Sequence, residues 1–342
     1  MDEERLEKIL KDNDQPGFRL DQILKAVYQD GVSSFQEISN LPKSLREMLD
    51  DDLKILSFEA EKVQVSADKL SIKALLRLRD GNLIETVLLS PKLSVWSACL
   101  SCQVGCPMHC AFCATGKMEY ERNMTAEEIA DQALFWKQYI SKNKLDGRFS
   151  NIVFMGMGEP FLNWEEVKKS LKILTDRKYF NIGSRSISVS TVGVKGATEK
   201  LLADFPQVNL AISLHFPQDN QRARFMPANR NFNLSDLKDA LDGYFERSNR
   251  KVFLEYMLLS GLNDGEKDAW DLVKLIKSFK KFHLLHVNLI RYNETSEKFK
   301  HSPHYRVQEF KNYLLRNGIN VTERKSLGTD IQGACGQLAG EN

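Results

Sequence analysis

Five of the six cysteines in this 342-residue chain fall within fifteen residues: Cys99, Cys102, Cys106, Cys110 and Cys113. The sixth, Cys335, stands alone near the other end. A cytosolic chain has no oxidising compartment to sustain structural disulfides, so such a cluster points to metal or redox chemistry. Cys106-x₃-Cys110-x₂-Cys113 supplies three thiolates from one loop. Iron–sulfur clusters are held by thiolates, usually four. Three ligands on a cubane leave one iron open, and an open metal position is where a substrate can bind, as in catalytic zinc sites. Phe112, just before the last of the three, can shield such a cluster. The alternative is a Cys₄ zinc site built from Cys99-x₂-Cys102 and Cys110-x₂-Cys113. The two pairs are seven residues apart, shorter than the usual ribbon, and Cys106 is then unused. A lone cysteine such as Cys335 is most often a small buried hydrophobe. Here it lies in a glycine-flanked polar segment, ACGQ, after the last strand, where a loop can fold over a barrel mouth.

The elements that must position these residues are legible as apolar periodicity. Residues 1–50 read as short helices with charged faces. Residues 71–79 and 83–89 read as strands joined by Asp80-Gly81, a hairpin signal. A regular rhythm then begins, with strand-like runs at 95–100, 151–156, 186–191, 208–214, 251–258 and 284–290. Helical segments separate them. Thr125 with Glu128, and Asn163 with Glu166, carry the spacing of capping boxes. Later helices are expected near 195–203, 234–247, 266–279 and 303–316, followed by a last strand near 319–323. Six strand–helix units in series predict parallel strands with right-handed crossovers. Polar residues gather just after strand ends, which favours a barrel, open on one side, over a doubly wound sheet.

Composition excludes little. Hydrophobic residues make up 42% and the formal net charge is +2. Residues 1–80 carry 13 basic and 17 acidic side chains, leaving a mildly basic remainder that could hold nucleic acid. Candidates for a basic face are Lys117, Arg122, Arg222, Arg224, Arg230, Arg291 and Lys325. No apolar run is long enough to span a membrane. The opening MDEERLEKIL lacks the form of a signal peptide, so a cytoplasmic protein is expected.

The segment CLSCQVGCPMHCAFCATG (99–116) after the first strand of such a series resembles the RlmN and Cfr family of radical S-adenosylmethionine (SAM) adenosine methyltransferases. The agreement continues through LIETV (83–87), GMGEP (156–160), VSTVG (189–193), SLH (213–215), HVNLIRYN (286–293) and GTDIQGACGQLAG (328–340), in the right order over nearly the whole chain. The resemblance implies an α/β fold: a radical SAM partial (βα)₆ TIM-like barrel with a small N-terminal helical domain and a β-hairpin extension. It divides the chain into an RNA-binding helical accessory domain (1–55), a hairpin linker (56–94), and a barrel with a C-terminal catalytic-cysteine loop (95–342).

Roles follow from the same resemblance. Cys106, Cys110 and Cys113 would ligate a [4Fe-4S] cluster whose open iron takes SAM. Gly158, Glu159, Ser190, Ser213, Leu214, His215 and Asn293 would hold the rest of SAM. Cys335 would be methylated by one SAM. After a second SAM is reductively cleaved, the carrier methyl would be joined to the adenine ring, with Glu85 as proton acceptor. Cys99 would resolve the covalent adduct, leaving a Cys99–Cys335 disulfide for an exogenous reductant. Without the resemblance, a glutamate in a hairpin strand is more often a solvated surface charge. The implied partners are 23S rRNA, tRNA and an electron donor of the flavodoxin type, acting on a monomer. GMGEP and QVGC resemble RlmN, which methylates adenine C2 at position 2503 of 23S rRNA and often position 37 of tRNAs. Arg291 in NLIRYN is closer to Cfr, which methylates C8 at the same rRNA site. Cys102 stands where the family usually has serine. C2 is the preferred expectation.

Overall fold

Apolar runs bounded by turn residues become strands, and their pairing order creates the rim on which the cysteines sit. The computed structural model describes residues 1–340. Three helices come first: α1 (Glu3–Asp12), α2 (Phe18–Leu24) and α3 (Lys43–Asp52). An antiparallel meander follows, β1 (Phe58–Val65), β2 (Ser71–Leu78) and β3 (Leu83–Lys92), and β3 pairs antiparallel with β4 (Val95–Cys99). The strand β1 has no counterpart in the sequence-based expectation. Its FEAEKVQV is exposed at most positions, as suits an edge strand, and carries no apolar signal.

A two-stranded ribbon, β5 (Gln103–Val104) with β6 (Arg122–Asn123), brackets the cysteine loop. The chain then alternates: α4 (Ala126–Lys142), β7 (Arg148–Phe154), α5 (Trp164–Thr175), β8 (Ile187–Thr191), α6 (Ala197–Asp204), β9 (Asn209–Ser213), α7 (Asp219–Phe225), α8 (Leu234–Arg247), β10 (Val252–Leu258), α9 (Glu266–Lys277), β11 (Leu285–Arg291), α10 (His304–Arg316) and β12 (Asn320–Arg324). From β4 through β7, β8, β9, β10, β11 to β12 every pairing is parallel. The ten-stranded sheet runs from β1 at one edge to β12 at the other. It is therefore a partial barrel, as expected, with its carboxyl ends on one face.

Capping follows the sequence at one helix and departs from it at the next. Thr125 Oγ1 accepts from the Glu128 amide at 3.2 Å and Glu128 accepts from the Thr125 amide at 2.9 Å, a complete capping box for α4. Asn163 does not cap α5. Its side-chain amide donates to the carbonyls of Cys102 and Met124, both at 2.8 Å, and so holds the chain that enters the cysteine loop. Glu166 instead accepts from the Ala126 amide at the start of α4.

The N-terminal helices pack onto the barrel. Lys137 and Gln138 of α4 donate to the carbonyls of Tyr28 and Val32. Glu3 accepts from Lys178 at 2.9 Å and from the Tyr179 hydroxyl at 2.5 Å, which places one of the segment's acidic charges against the body. Trp136, fully buried on α4, donates to Thr86 Oγ1 at 3.0 Å, and Thr86 donates to the Cys99 carbonyl at 2.8 Å. A core residue is thus tied to the strand end that carries a site cysteine. Trp136→Ala is expected to lose about 3–5 kcal/mol, and Trp136→Phe, which loses the hydrogen bond and part of the ring volume, a smaller amount of about 1–3 kcal/mol, read as the unfolding free energy from urea titration.

Candidate active site

The loop between β5 and β6 is shaped by short backbone bonds: Cys113 N to Cys110 O at 3.1 Å and Gly116 N to Cys113 O at 3.2 Å. Two longer-range bonds anchor it, from the Ala111 amide to the Phe225 carbonyl on α7 (2.9 Å) and from the Ala114 amide to the Gly336 carbonyl (2.8 Å). Cys106, Cys110 and Cys113 all line one chamber of about 920 Å³, measured out to its open mouth. Phe112 lies beside them on the chamber wall, edge-on to His215 with ring centres 5.0 Å apart. Burial pushes the Cys106 thiol up to about 12 and Cys110 upward as well, with neighbouring thiols adding to the effect. Thiols so placed ionise only when cations sit on them.

Two observations test whether an iron–sulfur cluster fits. The first is that Cys106, Cys110 and Cys113, from one loop, line the same chamber, which suits a cubane, in which each ligand binds a different iron. The second observation is Arg222, which is 1% exposed. Its guanidinium donates only to neutral acceptors: Asn229 Oδ1 at 2.7 Å and the carbonyls of Leu214, Ser213 and Val192. Burial lowers it to about 10, and Cys110 and Asp219 oppose that fall. A buried cation beside Cys110 with no carboxylate directly bonded to it favours thiolates at the loop. The cluster therefore fits. The Cys₄ zinc alternative does not, because Cys102 packs into the main apolar core and Cys99 opens onto a second chamber.

Across the first chamber stand Gly158, Glu159, Ser190, Ser213 and His215. Gly158 has φ +103°, and a Cβ there would fall 2.6 Å from Gln103 Cβ, so glycine lets the GMGEP turn seat against β5. The Glu159 carboxylate accepts from the Val192 and Phe161 amides at 2.9 and 3.1 Å. Burial lifts it to about 7 against the pull of those amides. Ser190 and Ser213 hydroxyls lie 3.3 Å apart on adjacent strands. His215 Nδ1 accepts from the Met257 amide at 3.0 Å, and burial holds the ring down to about 3. The ring is therefore neutral, with its proton on Nε2 as a donor. Leu214 and Asn293 do not line this chamber. Leu214 is buried, its amide donating to the Glu255 carbonyl. Asn293 lies on the second chamber, where its side chain donates to the Cys335 carbonyl at 3.2 Å.

The second chamber, about 1190 Å³ out to its mouth, is lined by Cys99, Arg324 and Lys325 among others. Cys335 and Gly336 line both chambers, so the lone cysteine stands on their shared wall. All six cysteines are free thiols, and the expected Cys99–Cys335 disulfide is not formed in this structure. Cys335 is reached by solvent through the open recess while protein surrounds it on the other sides. That surround pushes its thiol up to about 11 against the pull of Arg324. Arg324 donates to Glu255 at 3.2 Å, and Asn288 donates to the same carboxylate at 2.8 Å. Sequence reasoning missed Glu255 and Arg324. The available signal was a glutamate inside the apolar run VFLEYML, since an acid is seldom buried in a strand without a partner.

The alternative reading of Glu85 as a solvated charge and the placing of Arg222 on a basic face need correction. Glu85 is 1% exposed, not a solvated charge, yet it lines neither chamber. It pairs with Lys73 at 2.6 Å and accepts from the amides of Ala339 and Gly340. Arg222, placed among the basic-face candidates, is interior. Arg122 is half-buried and bound to Asp80 (2.5 Å) and Glu128 (2.8 Å), while Lys117, Arg224, Arg230, Arg291 and Lys325 are exposed.

Comparison with known proteins agrees with this geometry. A family model described as the radical SAM superfamily matches residues 100–276, and one described as the ribosomal RNA large subunit methyltransferase N-terminal domain matches residues 1–55. A ribosomal RNA large subunit methyltransferase Cfr from Lachnoclostridium phytofermentans is 39% identical over 99% of this chain and 97% of its own. A probable dual-specificity RNA methyltransferase RlmN from Streptococcus sanguinis is 41% identical over 94% of this chain and 88% of its own. The crystal structure of a radical SAM methyltransferase from Sphaerobacter thermophilus superposes with a TM-score of 0.91 at 36% identity, covering 100% of this chain and 98% of that one. Anaerobically prepared protein is expected to contain iron and acid-labile sulfide rather than zinc. Cys110→Ala should lose both, and Cys102→Ala should keep them, as read by metal analysis and visible absorbance.

Proposed function

The chain belongs to the RlmN/Cfr family of radical SAM RNA methyltransferases, and from that premise we propose that it methylates C2 of adenosine 2503 in 23S rRNA, and C2 of adenosine 37 in tRNAs, through a methyl group carried on Cys335. The observation that carries this reading is the place of Cys335 on the wall between the chamber of the three cysteines and the chamber of Cys99. An adenine sp² carbon is not nucleophilic, so direct polar transfer would fail. A carrier that faces the cofactors on one side and the base on the other meets that difficulty. When bound, a [4Fe-4S] cluster and SAM supply the methyl group and the one-electron chemistry such a carbon demands. In this reading Cys106, Cys110 and Cys113 hold the cluster, and Gly158, Glu159, Ser190, Ser213 and His215 surround SAM.

The chain's own residues then have defined tasks. Cys335 must ionise to accept a methyl group. Its proton leaves to the solvent that reaches the recess, and Arg324, anchored on Glu255, favours the thiolate. Cys99 resolves the enzyme–RNA adduct by attacking the Cys335 sulfur. The S–S bond forms as the bond from that sulfur to the product carbon breaks, and the carbon takes the electron pair and a proton. An electron donor of the flavodoxin type returns both thiols. Arg324 and Lys325 at the second chamber, with Lys117, Arg224, Arg230 and Arg291, make the phosphate-facing surface. Residues 1–55 act as the accessory RNA-binding unit, 56–94 as the hairpin linker and the rest as the barrel. The working protein is a cytoplasmic monomer. No helix among the described residues is long and apolar enough to cross a membrane.

A second reading is C8 methylation of the same rRNA adenosine. Near-equal identity to relatives of both names and Arg291 in NLIRYN favour it. The deciding experiment is anaerobic reconstitution with iron, sulfide, SAM and unmodified RNA, followed by mass spectrometry of the digested nucleosides. The expected product is 2-methyladenosine, whereas 8-methyladenosine would select the second reading and neither would sink both. Cys335→Ala should abolish product while retaining the cluster absorbance, and Cys99→Ala should accumulate protein cross-linked to RNA. With its thiol raised to about 11, Cys335 in apo-protein should be alkylated by iodoacetamide roughly tenfold faster per pH unit between about pH 7 and 9, following its thiolate fraction. Arg324→Met should shift that profile to higher pH.

A further inference from the structure

We propose that the buried Lys73–Glu85 pair is a latch that holds the strap of residues 328–340, and with it Cys335, across the barrel mouth. Both charges lie in strands of the hairpin. The register pairs Leu75 with Glu85, so Lys73 is the diagonal neighbour of Glu85 on the same face. Their ion pair at 2.6 Å is buried. A buried pair is stable only when its remaining lone pairs also find donors. Glu85 finds them on the strap, where Oε2 accepts from Ala339 N at 2.7 Å and Gly340 N at 3.2 Å. If the strap lifts, that carboxylate oxygen loses both of these donors inside the protein.

The rest of the strap shows why this contact decides its position. At its start, Gly328 packs against Ser71 so closely that a Cβ would fall 2.8 Å from the serine Cβ, and Asp330 accepts from the Ala67 amide at 2.8 Å. In the middle, Gly336 and Leu338 carbonyls accept from Ala114 N (2.8 Å) and Thr115 Oγ1 (2.6 Å) on the cysteine loop. At its end, Gly340 has φ +65° and a Cβ there would fall 3.1 Å from the Leu83 carbonyl. Both ends of the strap therefore sit on the hairpin, and Cys335 hangs between them. The middle bonds join neutral groups, whereas the bonds at the two ends, Ala67 to Asp330 and the strap amides to Glu85, are charge-assisted and roughly twice as strong, and of these only the Glu85 end is buried with an ion pair. In the latch Glu85 acts through the strap as a positioning residue, beside the proton-acceptor role that the family resemblance implies for it. The latch rests on these contacts alone, and only its consequence for methyl transfer rests on the proposed role of Cys335.

The test is hydrogen exchange, read by mass spectrometry on the full-length reconstituted protein, with two variants. Glu85→Gln removes the charge, and Ala339→Pro removes one strap donor while leaving the buried pair intact. Both should accelerate exchange of strap amides about 10- to 100-fold, on the scale of a charge-assisted hydrogen bond. Peptides from α9 and the cluster absorbance should stay as in the parent, and methyl occupancy of Cys335, read by mass spectrometry, should fall in both variants. If Glu85 is instead a proton acceptor only, Glu85→Gln leaves strap exchange and Cys335 methylation at parent levels and Ala339→Pro is silent. That pattern overturns the latch. Should Glu85→Gln accelerate exchange throughout the chain, Ala339→Pro decides alone. Accelerated strap exchange in a protein whose parent Cys335 is never methylated supports the latch and removes the carrier reading.

Discussion

A thiol that must meet two partners in turn has to stand on a wall rather than inside a pocket. In this fold the wall is made by one short segment. The parallel strands β4 and β7 to β12 deliver their carboxyl ends to one open face. The strap crosses that face and splits it into a chamber lined by Cys106, Cys110 and Cys113 and a chamber lined by Cys99 and Arg324. A closed barrel would leave less room for a second chamber. A sheet that stops at β12 leaves the gap that the strap bridges on its way back to the hairpin. The antiparallel meander is therefore part of the site even though neither Lys73 nor Glu85 lines either chamber: it is the anchor at both ends of the bridge.

The buried charges follow the same logic. Glu255 is balanced by Arg324 and Asn288, and Glu85 by Lys73 and two amides. Glu159 carries two backbone amides on its carboxylate. Arg222 is hydrogen-bonded only to neutral acceptors. Unpaired buried charge is expensive, and Arg222 is held where an anionic cluster on the cysteine loop would offset it. The loop and α7 are joined by the Ala111–Phe225 bond, so cluster and counter-charge are positioned by the same contact.

What was legible in the sequence was local. The parallel strands emerged within a few residues of their apolar runs, because strands buried on both faces carry continuous apolar sequence. Thr125 and Glu128 cap as their spacing implies. What escaped depended on distant neighbours. The strand β1 is too polar to signal itself, and the seven-residue α7 too short. Asn163 has the spacing of a cap but serves the carbonyls of Cys102 and Met124. Arg222 looks like any surface arginine until the ends of β8 and β9 close over it. Glu85 reads as solvated because its partners are Lys73, on the facing strand, and amides more than 250 residues away. The resemblance placed Asn293 at SAM, whereas its position relative to the two chambers depends on the course of the strap.

The two-chamber arrangement also bears on product choice. Relatives named Cfr and RlmN are about equally similar to this chain, and in the proposed reading one carrier cysteine serves either outcome. C2 and C8 lie on opposite edges of adenine, and turning the base within its own plane exchanges one for the other in front of a fixed methyl group. The choice therefore belongs to the walls that orient the base. In the proposed reading those are residues of the second chamber, including Leu89, Pro91, Ser97 and Leu327 beside Arg324 and Lys325, and not the residues proposed to surround SAM. A motif around the first chamber can identify the family while saying little about the carbon, which is why GMGEP and NLIRYN can point in different directions within one chain.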